Sequence, residues 1–160
     1  MLIYDMLFIL ISIIVPLVIV FVLPSLLKRH KARETQARWI LYIACVLFFI
    51  SWYIPSPLID GRDTSFMTHL IGGGVFSGLI WIYIKTVRAI KIRPLYEAAV
   101  MFAVVSSLGV INELAELAFV RFHLAAMPLD DTNWDLVANT LGTMIVFGVV
   151  QASRIVNEGR

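Results

Sequence analysis

Residues 2–27 read LIYDMLFILISIIVPLVIVFVLPSLL, twenty-six positions in which Asp5 is the one formally charged side chain. A helix needs about 20 apolar residues to cross a ~30 Å hydrocarbon layer. In lipid every backbone group must find its partner within the protein, so only helices and closed barrels span a bilayer. The stretch lacks the apolar/polar alternation of a barrel strand, and it is therefore expected to be a membrane-spanning helix. Pro16 removes one of its hydrogen bonds and should kink it, a defect that neighbouring helices can repair. Met1–Asp5 lacks a basic leader and no small-residue cleavage site follows, so the run is expected to stay in the mature chain.

Working outward, four more apolar segments follow at about 39–54, 67–84, 95–122 and 135–153. Of the 160 residues 60% are hydrophobic and 15% charged, against roughly 25% charged in a soluble domain whose surface must face water. The composition therefore excludes an ordinary soluble enzyme. It predicts an all-α integral membrane bundle of about five transmembrane helices, one domain over 1–160, placed in the cell membrane. Cys45 is the only cysteine and sits in an apolar run, where a thiol packs as a small hydrophobe. Gly72, Gly73, Gly74 and Gly78 fall in the third segment; in a membrane they let helices approach closely. No repeat, phosphate-binding glycine loop, cysteine cluster or Ser–His–Asp spacing is present.

The basic residues are divided unevenly. Lys28, Arg29, Lys31, Arg33 and Arg38 follow the first segment, Lys85, Arg88, Lys91 and Arg93 follow the third, and Arg154 and Arg160 close the chain. The other two loops hold only Arg62 and Arg121, beside Asp60, Asp63, Asp130 and Asp131. Cytoplasmic loops are enriched in Lys and Arg, so the N-terminus is expected outside and the C-terminus in the cytoplasm. Orientation and contact with anionic lipid explain these residues without a nucleic-acid partner.

That topology gives the polar residues of the apolar segments a depth. With Phe122 at the outer end of the fourth helix, Glu116 lies ~9 Å and Glu113 ~13 Å inside, preceded by Asn112. Asp135 stands at the start of the fifth helix with Asn139 one turn deeper, behind Asn133 as a cap and Trp134 as an interface anchor. His69 opens the third helix from the same side. Asn112, Glu113 and Glu116 share one helix face, as do Asp135, Asn139 and Gly142, and His69 with Gly73. A carboxylate at the centre of a membrane helix costs about 2.5–3.5 kcal/mol, so these groups are expected to meet in one pocket opening outward. Two adjacent carboxylates there call for a shared proton or a nearby cation, and His69 could supply the charge, ligate a metal or act as a base. A metal site of His69, Glu113, Glu116 and Asp135 has suitable ligand types but no strong spacing signature, and none is assigned. Arg121 is expected to reach for the interface; His30 and His123 lie in loops outside the pocket.

At these same residues the chain resembles the VanZ-like membrane proteins. Their pattern places a His at the start of one helix, here before Leu70–Gly74. An E-x-x-[QE] element follows late in the next, here Glu113-Leu-Ala-Glu116, and D-x-x-x-N-x-x-G opens the last, here Asp135–Gly142. The likeness covers the C-terminal 100 residues or so, and its last motif is the most specific. A Lys often found before the His is absent, Glu116 stands where Gln is common, and the loop from Arg121 to Asp135 is longer. The family's namesake is linked to reduced sensitivity to a lipoglycopeptide antibiotic, with no reaction established.

Two readings of function stay open. In the first, the pocket binds or acts on a lipid or cell-envelope head group, with His69, Glu113 and Glu116 as the reactive groups and Asn112, Asp135 and Asn139 as polar contacts. In the second, the chain is a non-enzymatic accessory subunit whose buried polar residues only lock the helices together. A proton or cation pathway is weaker, because no acidic residue of the inner half continues the route; Glu97 lies near the cytoplasmic interface. Membrane lipids are the expected partners. The sequence leaves cofactor and oligomeric state unassigned.

Overall fold

The computed structural model describes the backbone of residues 2–27, 31–59, 61–123 and 132–158, with side-chain surroundings from Ile13 in the first helix, from Thr35 in the second and to Val156 in the last. Lys28, Arg29, His30, Asp60, Asp130, Asp131 and Arg160 lie outside the described residues, as do the side chains of Asp5, Lys31 and Arg33. Five long helical stretches follow in order: α1 (Leu2–Leu26), α2 (Lys31–Ser51), α3, α4 (Pro94–Arg121) and α5 (Thr132–Glu158). The third is composite. It opens as a π-helix over Thr68–Val75 and continues as α-helix over Phe76–Arg88; α3 denotes Thr68–Arg88 below.

Three of these, Thr68–Arg88, Pro94–Arg121 and Thr132–Val156, are long and apolar enough to cross a membrane, and Ile13–Leu26 and Thr35–Ser51 are shorter apolar stretches within the described residues. Their surfaces agree with an apolar surround. Phe21, Trp39, Val46, Ile111, Leu114 and Val149 are each more than half exposed, a distribution that would drive a soluble protein to aggregate.

Two features depart from the sequence reading. The basic stretch Lys31–Arg38, expected as a loop, forms the opening turns of α2. Nothing in KARETQAR breaks a helix, and Lys, Ala, Arg, Glu and Gln are among the better helix formers; hydropathy marks the apolar length of a helix and not its ends. Between α2 and α3 a two-stranded antiparallel hairpin pairs β1 (Leu58–Ile59) with β2 (Arg62–Asp63), with Gly61 at φ +76°. Asp-Gly between short strands is a hairpin signal that a search for apolar runs passes over. Asn133 lies inside the first turn of α5 rather than capping it, since the helix begins at Thr132.

The centre of the bundle is α3, packed between α2, α4 and α5. At its Lys85 end Tyr83 and Val87 are buried against Ala37, Ile40 and Leu41 of α2 and Leu27 beyond α1. Helix α1 rests on α2, with Pro16 and Pro24 turned inward and the Cys45 thiol 3.6 Å from the Pro16 carbonyl oxygen. Helix α4 buries every fourth residue, Glu97, Met101, Val105 and Gly109, a stripe that begins at a carboxylate and runs toward Glu113.

Candidate functional site

The site starts from a glycine seam. Along α3 and α5 the two backbones touch. A methyl group added to Gly74 would lie 2.3 Å from the Asn139 carbonyl oxygen, and one added to Gly142 would lie 2.0 Å from the Leu70 carbonyl oxygen. Only glycine admits this approach. The π-helical turns of Thr68–Val75 coincide with it: three consecutive glycines oppose the regular α-helix least, and single-turn π distortions are frequent at functional sites. The seam is held by the buried Thr143 hydroxyl, which donates to the Gly74 carbonyl oxygen at 2.7 Å.

Above the seam the polar residues assemble in two layers. In the first, His69 Nε2 lies 3.4 Å from Asp135 Oδ1. Donor atoms of His69, Glu113 and Asp135 all fall within 4.8 Å of one another. These three come from α3, α4 and α5 in turn. Asp135 is 2% exposed and sits in the first turn of α5, where the helix dipole favours negative charge. Glu113 carries a buried Oε1 with no hydrogen-bond partner among the described residues.

The second layer lies one helical turn below on every element, at Gly73, Gly109 and Asn139. A methyl group on Gly73 would fall 1.7 Å from Asn139 Oδ1, and one on Gly109 would fall 3.4 Å from Asn139 Nδ2. Asn139 thus fills the space that Gly73 leaves open, and shares that beside Gly109 with Leu136, whose Cδ2 would lie 2.9 Å from the added methyl. Its Oδ1 is buried and has no hydrogen-bond partner among the described residues. A buried amide oxygen left unmatched costs roughly 1–3 kcal/mol, so this arrangement keeps an acceptor free at a cost in stability.

The structure brings His69, Glu113 and Asp135 together, with Asn139 directly beneath. Asn112 and Glu116 are not members of that three-residue group. Asn112 is exposed, and its Nδ2 donates to Glu116 Oε1 at 2.6 Å, a pairing of i,i+4 neighbours to one side of the cluster. Residues 113 and 116 are three apart, about 60° around the helix, and only Glu113 continues the buried stripe of α4. Arg121 and His123 are exposed beyond it.

Sequence reasoning missed a second polar cluster at the other end of the bundle. Glu97 is wholly buried. It accepts from Lys85 Nζ at 2.5 Å, Arg154 Nη1 at 2.9 Å, Gln151 Nε2 at 3.1 Å and Trp81 Nε1 at 3.4 Å. The signal was available: Trp81 and Lys85 are four apart, Gln151 and Arg154 three apart, and Glu97 lies in the first turn of a helix opened by Pro94. The same test of depth and face that found the first site would have found this one. Sixteen residues separate His69 from Lys85 and Glu97 from Glu113, and nineteen separate Asp135 from Arg154. At 1.5 Å per residue the two clusters stand about 24–28 Å apart, close to a hydrocarbon thickness.

No protein-family model, curated protein or solved structure matches the chain.

Proposed function

We propose that this chain is a five-crossing, VanZ-like protein of the cell membrane whose His69–Glu113–Asp135–Asn139 pocket takes the polar head group of a lipid or cell-envelope molecule in the outer leaflet. The N-terminus and the hairpin face outward, and Lys85–Arg93 and the C-terminus face the cytoplasm. Support for the orientation comes from the asymmetry of Lys and Arg, and for the depth from the spacing of the two clusters.

The observation that carries the reading is that two buried oxygens, Glu113 Oε1 and Asn139 Oδ1, have no hydrogen-bond partner among the described residues in a place where three helices converge. A network that merely locks helices satisfies its own donors and acceptors, as Glu97 does at the other end. Here acceptors are held ready for something that arrives with donors or positive charge: a hydroxyl, an amine or a cation.

The test compares the near-isosteric Glu113→Gln with wild type, both purified from the membrane in mild detergent. Lipids that co-purify are identified by native mass spectrometry, and unfolding temperature is measured on the same samples. Head-group binding is expected to disappear in Glu113→Gln while the unfolding temperature stays the same or rises. A helix lock gives the opposite pair of results, a lower unfolding temperature with the same bound lipids, and would overturn the reading.

A further inference from the structure

We infer that the His69–Glu113–Asp135 cluster holds a divalent transition-metal ion, with the amide oxygen of Asn139 beneath it as a fourth donor. The inference rests on the proposed pocket and deepens it by naming what fills the pocket first.

The geometry comes close to a coordination sphere. A metal bound to imidazole nitrogen at ~2.0–2.1 Å and to carboxylate oxygen at ~2.0–2.2 Å holds its donors about 3–4 Å apart. The three donors here already lie within 4.8 Å of one another, with the His69–Asp135 pair at 3.4 Å. Closing the widest pair asks for about 4.8 − 4 = 0.8 Å to 4.8 − 3 = 1.8 Å, shared among side chains on three different helices.

Charge leads to the same conclusion. Glu113 and Asp135 bring two carboxylates together where three helices converge, and like charges this close favour a bound cation. His69 balances at most one of them, and only when protonated. A dication bound by neutral imidazole and two carboxylates leaves the cluster with no net charge. Buried charges that coordinate a metal escape the penalty that isolated ones carry.

A second observation points to a ligand independently of the acidic pair. Asn139 is 5% exposed, and its Oδ1 is buried without a hydrogen-bond partner among the described residues. Gly73 leaves the room that this side chain occupies, and Gly109 lies beside it. Asn139 lies one turn below Asp135 on α5, Gly73 one turn below His69 on α3, and Gly109 one turn below Glu113 on α4. An amide oxygen kept free at this position, packed against Gly73 one turn below His69, is a hard donor without a partner among the described residues. One imidazole with two carboxylates and an amide suits zinc, manganese or ferrous iron, whereas an all-oxygen set would suit magnesium or calcium. Zinc, manganese and ferrous iron can all expand beyond four donors, so the ion can add an oxygen of a lipid phosphate or carbonyl, which two bare carboxylates would repel. The metal thereby widens the head groups the pocket can accept to anionic ones.

The experiment uses the full chain in detergent micelles, stripped with EDTA and dialysed. Zinc and manganese are titrated in turn with magnesium as the control, and bound metal is counted by elemental analysis and followed by calorimetry. The expected result is one equivalent of zinc or manganese per chain, with magnesium far weaker. Loss of affinity should be roughly 10–100-fold or more in His69→Gln, Glu113→Gln and Asp135→Asn. Glu116→Gln, whose carboxylate pairs with Asn112 outside the cluster, should bind as wild type. Should the ligand variants fail to fold, the wild type alone still decides: bound metal must raise its unfolding temperature in proportion to the logarithm of free metal. No stoichiometric binding by wild type, no such shift, or equal loss in Glu116→Gln overturns the site. Co-purified lipid is measured on the same EDTA-stripped protein. Head-group binding that survives without metal leaves the pocket standing and removes the ion; metal binding with no lipid does the reverse.

Discussion

Replacing Gly142 by Ala tests whether the site depends on backbone contact. The added methyl would meet the Leu70 carbonyl oxygen at 2.0 Å, Val75 N at 2.8 Å and Gly74 Cα at 2.9 Å, where ordinary contact begins near 3.4 Å. Every one of these is backbone, so no side chain can swing aside. Relief requires α3 and α5 to part by about 3.4 − 2.0 = 1.4 Å, enough to carry the His69–Asp135 separation of 3.4 Å beyond ion-pair range. Overpacking of this kind costs about 1–3 kcal/mol, or roughly 5–10 °C in unfolding temperature for a chain of this size. The control is Gly148→Ala on the same helix, where nothing lies within 4 Å of the new methyl and helix propensity favours alanine by about 1 kcal/mol. Thermal unfolding in detergent should show Gly142→Ala well below wild type and Gly148→Ala at or above it. Equal unfolding temperatures for the two variants would refute the account of the seam.

Gly73→Ala should act more locally: its methyl collides with the Asn139 side chain at 1.7 Å, so ligand retention should fall more than stability, read as bound lipid or metal against unfolding temperature. Glu97→Ala should destabilise by roughly 3–5 kcal/mol, because it strands Lys85 and Arg154; urea unfolding of wild type and variant checks this, and a change under 1 kcal/mol would mean that the two cations already reach water. For topology, in a Cys45→Ala background, a membrane-impermeant thiol reagent applied to whole cells should label Leu58→Cys in the hairpin and spare Lys91→Cys, both exposed positions. The reverse pattern would move the pocket to the cytoplasmic leaflet.

What the sequence made legible follows from two periodicities. Long apolar runs located five helical stretches because a membrane helix must be apolar over its whole length, and i,i+4 spacing put His69 over Gly73 and Asp135 over Asn139. Glu113 and Glu116 show the limit of that logic. Both satisfy a shared-face rule, but the face a long helix turns inward drifts around its circumference, and the buried series Glu97, Met101, Val105, Gly109 decides between them only when read from the far end. The π-helical turns were illegible for a different reason. Glycines at 72–74 announce close approach, yet the change of helical register arises from the partner surface around Gly142 and Thr143, which no local pattern contains.

The glycine seam has one more consequence, for traffic through the molecule. Between the His69 layer and the Glu97 layer, α3 and α5 meet through Gly74 on Gly142 and Gly78 on Val146; Ser77 and Thr143 are buried along this stretch, and the Thr143 hydroxyl already donates to a carbonyl. A proton or ion entering from either end therefore meets backbone packed on backbone, with no chain of titratable groups to hop along among the described residues. On the proposed reading, the packed glycine seam makes the two polar clusters independent sites, and a head group taken up at the His69 end would leave by the way it came.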